Sequence, residues 1–248
     1  MKGKVTVITG VSNGIGRAIA LNLRNHGCKV VGISRSQPDI ELDLWVCADI
    51  TIGADRERIR TEVEKCFGRV DLLVNNAGKG LYATWEELDE AELRSLFELN
   101  FFAVAALTRE FLPLLKNSQG TIANISSVAG KIWIPCMGAY CASKSSVSMF
   151  SNSLRLELKK YSVKVLEVCP GQINTGFSSR SMGMRKPPDS PGRSAGPEAL
   201  AEAFYRAWKR GKSALVYPGW MNWAVATVRG VFPWFYNHYS LKVWNLED

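Results

Sequence analysis

The chain has 248 residues, of which 46% are hydrophobic and 22% charged. It can bury one large core, and its composition excludes disordered, collagen-like and solenoid-repeat classes. The net charge of +8 is spread along the chain, with one denser group between Arg180 and Arg193. Without a nucleic-acid module signature that charge does not indicate nucleic-acid binding, and no such partner is expected. The six cysteines stand apart with no C-x-x-C pair. They read as reduced thiols in a cytoplasmic protein, and no metal site is expected.

In chain order, MKGKVTVITG enters an apolar run too short for a signal peptide and followed by glycines, so nothing directs export. That run, VTVIT at 5–9, is the first of seven apolar, β-branched segments. The others are KVVGI at 29–33, LWVCA at 44–48, DLLVN at 71–75, GTIANIS at 120–126, VKVLEVC at 163–169 and ALVYP at 214–218. Between them, helical spacing predicts helices over 16–26, 55–67, 90–116, 138–161 and 197–210. Strands apolar on both faces belong to a parallel sheet covered on both sides. The expected fold is therefore α/β: a Rossmann-type, doubly wound sheet of about seven parallel strands with helices on both faces, one domain over residues 1–248.

Two regions fall outside the alternation. Residues 175–197 are rich in Ser, Gly and Pro and are long enough to be a functional loop or substrate lid carrying Arg180, Arg185, Lys186 and Arg193. A solvated loop is the first reading of that charge, and contact with an acidic substrate or carrier the second. The terminal segment, about 219–248, holds Trp220, Trp223, Phe232, Trp234, Phe235, Tyr236 and Tyr239. It is interrupted by Arg229, Gly230 and Pro233, so it does not read as a membrane-spanning helix. A lipophilic pocket with a subunit contact is favoured over peripheral membrane association.

Three stretches carry chemistry. In ITGVSNGIGRAIA a strand runs through glycines straight into a helix. Gly10 would allow the tight turn, Gly14 close approach of backbone to a pyrophosphate, and Gly16 close packing of helix on strand, with the helix amides facing the phosphates. An ordinary strand-to-helix turn is the alternative. In NISSVAG, at a strand's carboxyl end, a serine can donate to an oxygen that gains negative charge. In YCASK, Tyr140 and Lys144 share a helix face. A cation there would lower a phenol pKa of about 10 and make Tyr140 a usable acid or base.

TGVSNGIG at 9–16, NNAG at 75–78, the Asn of LELN, SS before VAG, YCASK and PGQINT at 170–175 follow one another in the order of the motifs of classical short-chain dehydrogenase/reductases, which the chain resembles over roughly its first 175 residues. The resemblance implies that Ser127, thirteen residues before Tyr140, orients and polarises the substrate oxygen in preference to Ser126. It implies that Tyr140 is the acid/base, that Lys144 lowers its pKa and binds the nicotinamide ribose, and that Asn100 anchors a water of the proton relay. It places Gly10, Ser12, Asn13, Gly14, Ile15 and Gly16 on the dinucleotide. Asp49 and Ile50 would lie beside the adenine, Asn76, Ala77 and Gly78 along the adenosine, and Pro170, Gly171, Ile173 and Thr175 around the nicotinamide.

Ser34 stands where NAD-selective relatives carry Asp, and Arg35 follows it. A carboxylate suits a ribose 2′-hydroxyl and arginine a 2′-phosphate, so Arg35 with Ser34 as hydroxyl partner implies NADP, with NAD as the alternative cofactor. Asn13 is neutral where some NADP-preferring relatives carry a second basic residue. Three functions follow. The first is an NADP(H)-dependent oxidoreductase on a lipophilic ketone, aldehyde or alcohol, of the hydroxysteroid, retinol or carbonyl reductase kind. The second is a 3-oxoacyl-[acyl-carrier-protein] reductase, disfavoured by YPGWMNW where those relatives carry Asp-Gly-Gly. The third is a non-catalytic dinucleotide sensor, against which Ser127, Tyr140 and Lys144 argue. A homodimer or homotetramer is expected.

Overall fold

The computed structural model describes residues 1–186, 195–221, 233–244 and 246. Arg193, Trp223, Arg229, Gly230 and Phe232 lie outside them, as does the side chain of Phe235.

Seven strands form one parallel sheet in the order β3-β2-β1-β4-β5-β6-β7. They are β1 (Val5–Thr9), β2 (Lys29–Ser34), β3 (Leu44–Cys47), β4 (Leu72–Asn75), β5 (Thr121–Ile125), β6 (Lys164–Pro170) and β7 (Ala214–Tyr217). Because side chains alternate along a strand, the apolar runs feed two cores. Val5, Val7, Val31 and Leu73 face helices α2 (Gly53–Phe67), α4 (Ala103–Ser118) and α5 (Gly138–Glu157), meeting Val63, Phe111 and Leu154. Ile8, Val30, Leu72 and Leu166 face α1 (Gly14–Asn25) and α6 (Pro197–Lys209), meeting Leu23 and Phe204. At the edges only one strand neighbour is available, and β3 and β7 keep partly exposed residues.

Two elements differ from expectation. The helical pattern over 90–116 is three pieces: α3 (Glu90–Phe97), a π-helical turn Glu98–Phe102, and α4. The terminal aromatic segment contains a further helix, α7 (Pro233–Val243).

Reversal of strand order between β1 and β4 opens a crevice at their carboxyl ends, where doubly wound sheets bind ligands. Hydrogen bonds stitch its floor. Asn76 Nδ2 donates to the Thr9 carbonyl (2.8 Å) and the Gly10 carbonyl (3.2 Å), and the Asn76 and Ala77 amides donate to Thr9 Oγ1 (2.9 Å each).

Candidate active site

The glycine turn lies on that floor. Gly10 has φ +72°, a left-handed conformation that favours glycine. A Cβ on Gly16 would overlap the Gly10 carbonyl and the Asn76 amide, so the first turn of α1 sits directly on the strand end. Gly14 faces Thr175, whose Cβ would be 3.1 Å from a Cβ at that position. Asn13 is extended, makes no side-chain cap bond to α1 and donates to Ser12 Oγ at 3.3 Å. Ile15 packs against the α1/α6 core, as does Ile173.

β5 leads into Ser126 and Ser127, which point apart. Ser126 is buried, its Oγ donating to the Lys144 carbonyl (3.0 Å) and meeting Ser148 Oγ (3.2 Å). Ser127 Oγ accepts from the Ala129 amide (3.1 Å), reaches the Pro170 carbonyl (3.4 Å) and hydrogen-bonds the Tyr140 phenol. Tyr140 and Lys144 lie one turn apart on α5, with Lys144 Nζ 5.9 Å from the phenol ring centroid.

That ammonium is engaged by backbone. Its Nζ donates to the Ile125 carbonyl at 2.9 Å. Burial holds the phenol well above its ordinary value, only partly opposed by the Ser127 hydrogen bond. The same burial pushes Lys144 down to about 8. Desolvation penalises both charged forms and here outweighs the attraction expected from helical spacing.

The π-helical turn delivers Asn100 to the same place. Its Oδ1 accepts from the Lys79 amide (2.9 Å), and its Nδ2 donates to the Lys79 carbonyl (2.9 Å) and Ser143 Oγ (3.1 Å). Ser143 in turn donates to the Tyr140 carbonyl at 2.8 Å. A Cβ on Gly78 would lie 3.1 Å from Asn100 Oδ1 and 3.3 Å from Lys144 Nζ, so side chains and backbone close tightly here. Gly171 N donates to the Tyr217 carbonyl at 2.7 Å, tying the chain after β6 to the end of β7.

At the other side of the crevice, Ser34 is buried. Its hydroxyl donates to the Ser36 carbonyl (2.7 Å) and accepts from the Trp45 indole (3.0 Å). The hydroxyl paired in expectation with Arg35 is thus turned inward, because a strand's last residue faces the core opposite its neighbour. Arg35 is 81% exposed, with only a 3.8 Å approach to Asp49. Asp49 Oδ1 holds Thr51 by its amide (2.9 Å) and hydroxyl (2.7 Å), and the Ile50 carbonyl accepts from Arg56 (2.8 Å).

Phe177, Tyr82, Glu87 and Trp133 carried no sequence signal. Phe177 stands 5.9 Å from the Tyr140 ring. Gly80 and Tyr82 bond backbone to backbone with Met182 and Arg185, and Arg185 grips Glu87 through two bonds (2.7 and 2.9 Å), holding that carboxyl at about 2. Tyr236 of α7 donates to the Trp133 carbonyl (2.7 Å), Trp133 donates to Asn237 (2.7 Å), and Trp244 stacks on Tyr82. Trp220, Trp234 and Tyr239 are exposed. Among the described residues no cluster of His, Cys, Asp or Glu is arranged to hold a metal ion, and no helix is long and apolar enough to cross a membrane.

A glycine turn under a helix N-terminus, at the switch point of a parallel sheet and beside a serine, a phenol and a buried amine, defines a doubly wound, Rossmann-type α/β protein. The sequence profile of the short chain dehydrogenase family matches residues 4–185. The chain belongs to that family of oxidoreductases, which act on alcohol and carbonyl groups. It is 35% identical over 180 residues to a 3-ketodihydrosphingosine reductase of Bacteroides thetaiotaomicron, covering 72% of this chain and 67% of the relative. Among solved structures it is similar to an alcohol dehydrogenase of Thermococcus sibiricus complexed with 5-hydroxy-NADP, with 28% identity, TM-score 0.77, and 87% of this chain and 96% of the other covered. It is also similar to a 3-ketoacyl-(acyl-carrier-protein) reductase of Brucella melitensis complexed with NADH, with 28% identity, TM-score 0.78, and 87% and 97% covered.

Proposed function

We propose that the chain is an NADP(H)-dependent oxidoreductase that interconverts a lipophilic ketone or aldehyde with its alcohol, working as one unit around its single sheet. The observation that carries this reading is the convergence of Ser127, Tyr140, Lys144 and Asn100 beside the glycine turn.

The residues present fit a nicotinamide dinucleotide. Gly10, Gly14 and Gly16 let the chain turn tightly onto the N-terminus of α1, where Ser12, Asn13 and Ile15 complete the turn. Asp49, Ile50, Asn76, Ala77 and Gly78 line the adenosine side, while Pro170, Gly171, Ile173 and Thr175 line the nicotinamide side. When bound, the dinucleotide supplies or receives the hydride. Ser127 donates to the substrate oxygen and orients it. Tyr140, held protonated by burial, gives its proton to a carbonyl oxygen as the oxygen becomes an alkoxide, and recovers it from the hydroxyl in the reverse direction. Lys144 binds the ribose and charges the floor beneath the phenol, and Asn100 continues the relay outward.

Arg35, exposed and free to turn, suits a 2′-phosphate. Phe177 against the Tyr140 ring, with the aromatic pairs Tyr82–Trp244 and Trp133–Tyr236, supports an apolar substrate. The relative that reduces 3-ketodihydrosphingosine points the same way. The second reading, a 3-oxoacyl-[acyl-carrier-protein] reductase, is supported by similarity to the Brucella melitensis protein and by the net charge of +8. We further propose a cytoplasmic homodimer or homotetramer.

Turnover of NADPH and NADH against long-chain ketones, steroids, aldehydes and 3-oxoacyl thioesters tests the proposal. Apolar ketones should be reduced with NADPH preferred, and Tyr140→Phe should lower kcat by at least about a hundredfold. Wild-type turnover by Tyr140→Phe, or preference for acyl-carrier thioesters, overturns the reading.

A further inference from the structure

Arg180 lies on the short turn Ser178–Arg180, outside the motifs that define the site. Its guanidinium nonetheless reaches the glycine turn after β1. Nη2 donates to Asn13 Oδ1 at 3.0 Å and to the Thr175 carbonyl at 2.9 Å. Thr175 is the residue packed against Gly14. Arg180, Asn13, Gly14 and Thr175 therefore form one cluster at the start of α1.

Both acceptors are neutral, and among the described residues no carboxylate forms an ion pair with Arg180. Its neighbours differ. Arg185 is paired with Glu87 at 2.7 Å, and Arg17, on the first turn of α1, is paired with Asp39 at 2.6 Å. An uncompensated guanidinium beside a helix N-terminus sums two attractions for a phosphate group: the helix dipole with its amides, and a charge-assisted hydrogen bond.

We propose that Arg180 binds the diphosphate of the dinucleotide, clasping it against the N-terminus of α1. The proposal rests on the dinucleotide reading of the site and divides the labour of its arginines. Arg180 strengthens NADH and NADPH alike, whereas Arg35 discriminates between them.

Calorimetric titration of the full-length protein with NADPH and with NADH tests this for wild type, Arg180→Ala and Arg94→Ala. Arg180→Ala should raise Kd for both dinucleotides by the same factor, about tenfold or more, as expected for loss of a hydrogen bond to a charged group. Arg94→Ala removes equal charge from an exposed face of α3 and should change neither. If Arg180→Ala melts earlier than wild type without ligand, Arg180→Gln replaces it, keeping a polar side chain without the charge. Unchanged affinity for both dinucleotides overturns the proposal, as does a loss confined to NADPH, which would move Arg180 to the 2′-phosphate. If wild type binds neither dinucleotide, the reading of the whole site falls; if wild type binds and the variant binds equally, only Arg180 does.

Discussion

Tyr140 and Lys144 share one buried helix face, so desolvation drives the phenol up and the amine down. For Lys144 the consequence is measurable. The native value of about 8 lies below the ordinary 10.5. Below about pH 8 both folded and unfolded chains hold the proton, and the cost of burying the ammonium is fully present. Between the two values the unfolded chain binds more protons than the native one, so stability rises with pH. Lys144→Met removes that gain. Denaturant midpoints from about pH 7 to about pH 10 should show wild type gaining on the variant as pH rises; a constant gap would mean the amine is not depressed. The i, i+4 spacing made the pair legible in YCASK. The Ile125 carbonyl that takes the ammonium was not legible, because it arrives from β5. Glu167 was no more legible. It reads as a polar break in VKVLEVC, yet it is buried between Lys131 (2.8 Å), Ser148 (2.5 Å) and Cys169 (3.5 Å), beneath the turn that carries Ser127.

At the scale of elements, apolar period located nearly every strand and helix and missed what period does not encode. The π-helical turn Glu98–Phe102 slips one residue, too little to disturb the amphipathic pattern over 90–116, yet it rotates Asn100 onto the Lys79 backbone. Such turns recur at functional sites. In the terminal segment Pro233 reads as an interruption but is the first residue of α7, where proline's missing N–H costs nothing. Within the charged loop, Arg185 is pinned to Glu87 and Arg180 to Asn13 at the surface. Glu87→Gln should free the segment around Arg185, and limited trypsin digestion should then cut there several-fold faster than in wild type. Equal cleavage rates would show that the pair does not hold the segment.

Across the whole molecule, the two halves of the sheet meet where β1 and β4 diverge, and Asn76 joins them through the Thr9 and Gly10 carbonyls. Asn76→Ala leaves both without that donor. It should cost about 1–3 kcal/mol of stability. It should also reduce NADPH stabilisation, because the glycine turn loses its anchor and a ligand stabilises in proportion to its affinity for the native state. Urea unfolding and thermal shift with and without NADPH measure the two effects; wild-type values in both would refute the anchoring role. Features that depend on near neighbours in the chain can be read from local pattern: strand and helix from apolar period, the glycine turn from its spacing, and the Tyr140/Lys144 face from one helical turn. Tertiary structure alone decided which distant groups meet: Arg180 with Asn13, Trp133 with Tyr236, Lys144 with Ile125. It also decided the sign of the Tyr140 shift. Contacts between residues far apart in the chain, and the water they exclude, follow from how the packed layers stack, and local pattern does not record that stacking.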